Sequence, residues 1–223
     1  MSKSYTESPL FKGMTEEEIE NCLKESKADF LGFRKDEMIF RQGDYPRYIT
    51  MLVEGSVAIG NDALSGKRSI MGMFTNPGDL FGEVFLFLNH SEYGNYAYAT
   101  TTTKILEIPR EYLTKLGEHS SSLQTGMFSN LLTIFAERTL YLNNRLQVLS
   151  CATLKQKIAR FILQNMNDRD RVTLKMSREE FADFLNTARP SLSRELMKMQ
   201  DDGLIKVVRK DLIVKNLEGL KSL

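Results

Sequence analysis

The sequence predicts an α+β protein: a small antiparallel β-barrel of jelly-roll type, one long helix, and a winged helix-turn-helix. Three observations carry this expectation. Residues 30–110 read as short β-branched and aromatic runs punctuated by glycine or proline. Ser122 to Leu149 sustain a helical apolar period without a proline, and residues 151–223 follow the order helix, strand, helix, helix, hairpin. A chain of 223 residues with 42% hydrophobic content can bury a real core in one large or two modest domains, and the boundaries read as 1–120, 121–150 and 151–223.

The first element is a helix in "TEEEIENCLKES", with Thr15 as N-cap and Glu18 at the capping-box position. Strands follow in "MIFRQGD", "YITMLVEGSVAIG", "RSIMGMFTNPGDLFGE" and "TTTTKILEIP", separated by turn signals at Gly43, Gly55, Gly66, Pro77, Gly78 and Gly82. Regularly spaced turns between short strands are the signature of a small closed antiparallel sheet.

The long helix carries Phe128, Leu131, Phe135, Arg138, Leu142, Arg145 and Leu149 at alternating steps of three and four. That is heptad spacing, with two arginines interrupting the seam. One reading packs this face on the protein's own barrel. The other makes Phe128, Leu131, Phe135 and Leu142 the interface of a homodimer, because a helix this long has more apolar face than one small barrel covers.

In the last part, "LKQKIARFIL" puts Leu154, Ile158, Phe161 and Ile162 on one helical face, and "RVTLKM" is a short strand. "SREEFADFL" opens with Ser177 and returns Glu180 three residues later, a second capping box, with Phe181, Phe184 and Leu185 to one side. "NTA" then breaks the helix, and Pro190 suits the first turn of the next because its missing N–H has no helical partner there. On that second helix Leu192, Leu196 and Met199 form the apolar stripe. At about 100° per residue this leaves Pro190, Ser193, Arg194, Met197 and Lys198 outward. The outward face is small and basic. A helix of this kind fits the major groove, where arginine can chelate guanine O6 and N7 and a serine hydroxyl can donate or accept. "GLIKVVRKDLIVKN" reads as a hairpin around Arg209, Lys210 and Asp211, whose basic tip suits phosphate.

Charge agrees with this division. Residues 1–150 carry 15 Lys+Arg against 19 Asp+Glu and residues 151–223 carry 15 against 10, so the net charge of +1 hides an acidic first part and a basic last part. The basic part is the candidate for a polyanionic partner such as double-stranded DNA. No apolar run approaches the roughly 20 residues of a membrane span, and "MSKSYTESP" lacks the regions of a signal peptide, so a cytoplasmic location without a membrane partner is expected. Cys22 and Cys151 lie far apart and are expected to be buried small apolar residues rather than a disulfide or cluster ligands. His90 and His119 are the only histidines, so neither a metal nor another cofactor is expected.

At this point the chain resembles the cyclic-AMP receptor and fumarate-nitrate-reduction regulator (Crp/Fnr) superfamily of bacterial transcription regulators. The resemblance rests on "FRQGD" (40–44), "LVEGSV" (52–57), "PGDLFGEVFLF" (77–87), the long helix, and "SREEFADFLNTARPSLSRELMKMQDDGLI" (177–205). It implies a homodimeric regulator with a cyclic-nucleotide-binding-like barrel that senses an effector, a winged helix-turn-helix that reads a palindromic operator, and RNA polymerase as a partner. The base-reading positions of the family fall on Arg189, Ser193 and Arg194. The full candidate DNA-binding set is Arg189, Pro190, Ser191, Ser193, Arg194, Lys198, Arg209 and Lys210. Pro190 departs from the family, where many members have a glutamate, so the half-site need not be the usual one.

In members that bind cyclic AMP, a Gly-Glu pair holds the ribose and an Arg-Ser pair about ten residues on holds the phosphate. Gly82 and Glu83 are present here, but the second pair falls on Tyr93 and Gly94. A phosphate needs a cation or a cluster of N–H groups, which a tyrosine does not supply. Cyclic AMP is therefore not the expected effector, and Gly82-Glu83 has a second reading as a turn that needs its glycine. The candidate effector residues are Gly82, Glu83, Phe85, Tyr93, Gly94 and Tyr96. Their aromatic content suits an unidentified flat or apolar small molecule, although Tyr96 and Tyr98 share a strand face and have a packing reading as well. The alternative function is a regulatory module that acts on protein partners without DNA. Catalysis is not expected, because residues 30–110 hold one histidine and no nucleophile-base pair is legible.

Overall fold

The computed structural model describes residues 4–62, 68–88, 92–114 and 121–223. Gly66, His90 and His119 lie outside the described residues. The chain divides into two compact units, Met1–Phe135 and Ala136–Leu223.

In the first unit, two short 3-10 helices (Ser4–Glu7 and Pro9–Phe11) lead into α1 (Glu16–Glu25). Thr15 and Glu18 cap α1 reciprocally, as the sequence indicates. Eight strands follow: β1 (Asp29–Phe33), β2 (Met38–Phe40), β3 (Tyr48–Glu54), β4 (Val57–Asp62), β5 (Arg68–Phe74), β6 (Leu80–Phe81), β7 (Tyr96–Ala99) and β8 (Thr103–Pro109). They form two antiparallel sheets, β1-β8-β3-β6 and β2-β7-β4-β5. A short α2 (Arg110–Thr114) and the long α3 (Ser122–Leu149) come next.

Period-two alternation on β3 explains how the unit is layered. Ile49, Met51 and Val53 join Leu106 and Ile108 of β8 in a core that also holds Leu10, Phe11, Ile19, Cys22, Leu113, Met127, Leu131 and Ile134. Leu52 faces the other way and joins Ile105, Phe81, Phe40, Ile59, Tyr93 and Ala97 between the two sheets. The central strand is thus buried on both faces, which is why it reads as a continuous apolar run rather than an alternating one. Asn130 of α3 fastens the N-terminal segment, donating to the carbonyls of Leu10 (3.0 Å) and Lys12 (2.9 Å).

Two expectations need correction. Leu131, assigned to a dimer seam, is 1% exposed within its own chain, because the barrel's outer core closes over that side of α3. Cys151 is half-buried, its thiol donating to the Gln147 carbonyl at 3.4 Å, because it follows the end of the helix rather than packing inside one. Cys22 is buried as expected, and that burial pushes its thiol pKa up.

The second unit contains α4 (Leu154–Asn165), β9 (Arg171–Thr173), α5 (Arg178–Phe184), α6 (Arg189–Asp201), β10 (Ile205–Val208), β11 (Asp211–Val214) and α7 (Leu217–Lys221). Its sheet has the order β10-β11-β9, and one core joins Val148, Ile158, Phe161, Ile162, Phe181, Leu185, Leu192, Leu196, Met199 and Leu212. The apolar stripes read from the sequence of α4, α5 and α6 are the ones buried here. A third capping box, Thr153 with Gln156 at the start of α4, is equally legible in the sequence as T-x-x-Q.

Candidate nucleic-acid interface and sensor cavity

The helix pair α5–α6 is built by local signals. Ser177 and Glu180 cap α5, and the bonds that the Glu180 carboxylate accepts from Ser177 hold its pKa below the ordinary range. Asn186 takes the left-handed conformation at φ 51° in the turn, which asparagine tolerates better than most residues, and α6 restarts with Arg189 and Pro190 in its first turn. Leu192, Leu196 and Met199 are buried, so Arg189, Pro190, Ser193, Arg194, Met197 and Lys198 are all exposed, and Ser191 is partly so. Met197, 62% exposed as its place in the helical period indicates, is an apolar side chain among basic ones on that face. Arg189 engages Glu179 of α5 at 3.5 Å, both side chains solvated, an ion pair weak enough to open for another anion.

The wing is braced from beneath. Asp211 accepts from Thr173 at 2.6 Å and from Arg171, and these bonds lower its carboxyl pKa, the Arg171 bond most. Val208 pairs with Asp211, leaving Arg209 and Lys210 as a two-residue tip, both exposed. Arg209 has φ 53°, a conformation that favours glycine. Arg178, which the sequence reading missed, is half-buried and reaches the Arg209 carbonyl at 3.4 Å, so α5 supports the wing tip. No pattern in the sequence marks that long-range bond.

In the sensor unit, Gly82 has φ 74°, and a Cβ there would sit 3.0 Å from the Phe40 ring and 3.2 Å from the Tyr93 ring, so the turn requires glycine. Glu83 is 1% exposed. Tyr93 is 5% exposed and stacks on Phe40 at 3.8 Å with an interplanar angle of 10°, while Phe85 meets its edge at 5.7 Å. Burial, with the charges of Glu107 and Asp44 nearby, pushes the Tyr93 hydroxyl up to about 12, so the ring stays neutral. Tyr96 packs over Gly60, where a Cβ would lie 2.7 Å from the ring, and its ring centroid is 6.1 Å from that of Tyr98. Of the six candidate effector residues, Tyr93 lines a cavity formed with Ile39, Phe40, Asp44, Arg47, Thr50 and Glu107 among others. Gly94 is exposed and Phe85 half-buried. Among the described residues no group of three or more His, Cys, Asp or Glu is placed to hold a metal ion, and no helix is long and apolar enough to cross a membrane.

Comparison with known proteins covers both units. Residues 31–120 match the family described as cyclic nucleotide-binding domain, and residues 156–223 match the Crp-like helix-turn-helix domain. The cyclic AMP receptor protein of Thermus thermophilus is 25% identical over 200 residues, covering 90% of this chain and 89% of its own. The transcriptional activator protein anr of Pseudomonas aeruginosa is 28% identical over 186 residues, covering 80% and 73%. Among solved structures, the Thermus thermophilus catabolite activator protein superposes with a TM-score of 0.53 at 24% identity, covering 96% of this chain and 97% of that one.

Proposed function

Because this chain belongs to the Crp/Fnr superfamily and is a DNA-binding transcription regulator rather than an enzyme, we propose that it works as an effector-responsive homodimer whose two α6 helices read the halves of a palindromic operator. The observation that carries this reading is the outward face of α6, where Ser193, Arg194 and Lys198 are solvated while the opposite stripe is buried. Arg194, with Arg189 and Ser193, reads base edges. Lys198, Ser191 and the wing tip Arg209-Lys210 hold phosphates. The reading divides the chain into a sensor (1–120), a dimerisation helix (121–150) and a DNA-binding domain (151–223), working in the cytoplasm with RNA polymerase as protein partner.

Support for the dimer comes from α3. Leu132, Leu142 and Leu146 are exposed, with Leu142 at 60%. Leu132, Phe135, Thr139, Leu142, Leu146 and Leu149 step by three and four, a heptad seam that shares Phe135, Leu142 and Leu149 with the one first read but bypasses Leu131, Arg138 and Arg145. Arg145 instead lies over the Phe184 ring at 5.4 Å, which removes one of the interrupting charges from the seam.

The Thermus relative's name includes cyclic AMP, but the buried, neutral Tyr93 at the phosphate-pair position argues for a different effector here. Selection of bound sequences from a random DNA library tests the function. The expected product is an inverted repeat with half-site centres about 34 Å apart, and recovery of no preferred sequence at moderate salt would reject the reading.

A further inference from the structure

Between the β2–β3 loop and strands β3 and β8, the sensor unit holds a cavity of about 430 Å³. Thr50 and Glu107 are direct partners across the β3–β8 ladder, on the face that Leu52 and Ile105 present to the space between the sheets, and Tyr93 approaches from the connection before β7. The hydroxyls of Thr50 (2% exposed) and Tyr93 make no hydrogen bond among the described residues, and both residues line the cavity. The Glu107 carboxylate there has no hydrogen bond or ion pair among the described residues either, and burial together with the charge of Asp29 raises its pKa. Two hydroxyls and a half-buried carboxylate without protein partners thus face the cavity, and their hydrogen-bonding capacity is open to a ligand there.

The other acids at this cavity are already engaged. Asp44 accepts from the Arg41 N–H at 2.8 Å, and Glu92, at the Gly43 side, hydrogen-bonds Tyr45. Arg47, exposed and also lining the cavity, has no carboxylate partner among the described residues. The cavity therefore offers oxygen acceptors and the negative charges of Glu107 and Asp44, with the positive charge of Arg47 toward solvent. An ammonium group has three N–H donors and a single charge, matching two hydroxyl oxygens and a carboxylate. A carboxylate matches the guanidinium fork.

We propose that this cavity binds a small zwitterionic amino acid, its ammonium group on Glu107, Thr50 and Tyr93 and its carboxylate on Arg47. Ile39 and Phe40 supply the apolar wall for the carbon chain. The proposal deepens the effector-responsive reading and rests on it only for the consequence at DNA. Calorimetry on the free protein tests the cavity and operator binding tests the regulator, so either can fail alone.

The test is titration of the full chain with the common L-α-amino acids, β-alanine and 4-aminobutyrate, using butylamine and butyrate as single-charge controls. At least one amino acid should bind once per chain with a Kd under about 1 mM, and each control should bind at least about tenfold more weakly. Glu107→Gln and Arg47→Ala should each weaken that binding by about tenfold or more. Glu107→Gln removes a destabilising buried charge, so its loss of binding would not come from unfolding. The proposal is overturned if no amino acid binds below about 10 mM, if butylamine binds as tightly as the best amino acid, or if Glu107→Gln leaves the binding unchanged.

Discussion

Glu107 sits where a carboxylate is costly, and the sign of that cost can be measured. Its folded pKa is raised by burial, with Asp29 adding repulsion. The folded state therefore keeps the proton to higher pH than the unfolded chain, whose glutamates ionise near about 4.3. Stability is lost as pH rises from that value through the folded pKa. Glu107→Gln should raise the melting temperature at pH 7, and the gain should vanish near pH 4. A melting temperature lower than wild type at pH 7 would mean that the carboxylate has a stabilising partner. At the other end of the chain, Arg194 is exposed on the face of α6 opposite the buried stripe. Arg194→Ala should cost about 1–3 kcal/mol per half-site on the preferred operator and relax preference at one symmetric base pair, with less effect on random DNA. If the preference survives and only the salt slope falls, Arg194 meets phosphate and the reading role passes to Arg189 and Ser193. Arg209 tests the converse. At φ 53° a non-glycine residue is strained by about 1 kcal/mol, which the flexibility of glycine in the unfolded chain roughly offsets. Arg209→Gly should leave stability nearly unchanged, weaken all DNA sequences alike, and flatten the salt dependence by about 0.9 for each phosphate that the arginine neutralises.

At the scale of the element, α3 shows how a one-residue shift changes the meaning of a helix. Steps of three and four fit both the seam through Leu131 and Arg145 and the seam through Leu132 and Leu146, since neighbouring positions are only about 100° apart. Burial separates them: Leu131 and Ile134 belong to the sensor core, whereas Leu132, Leu142 and Leu146 remain exposed. Leu142→Asp should give a monomer of 25.6 kDa by light scattering without loss of helical content, because it charges only the proposed interface. Phe135 is a poorer test, since its ring also meets Phe87 edge-on at 5.8 Å and its loss would disturb the chain's own core.

For the molecule as a whole, the expected behaviour is a regulator that does not answer to cyclic AMP. The position that would need a cation for the phosphate holds a neutral, buried ring stacked on Phe40, and displacing it would expose apolar surface and break the stack. Cyclic AMP at cellular concentrations should leave operator affinity within about twofold of the ligand-free value. A tenfold tightening would show that Tyr93 moves aside.

The sequence by itself determined the order of elements, the capped start of α1 and α5, the extent of α3, and the buried stripe of α6. Each of these is a local pattern within a few turns of chain, set by backbone geometry and the periodicity of apolar residues. The outward face of α6 was legible for the same reason, as the complement of its stripe. Only the tertiary structure decided which side of α3 the barrel covers, that Arg178 reaches the wing tip, and that Thr50, Tyr93 and Glu107 meet at one cavity. Those residues lie 31, 43 and 57 positions apart or join separate strands, so no periodicity links them. Their meeting depends on the pairing of β3 with β8 and on the packing of one sheet against the other, and such long-range pairings are fixed by the whole core rather than by any segment of it.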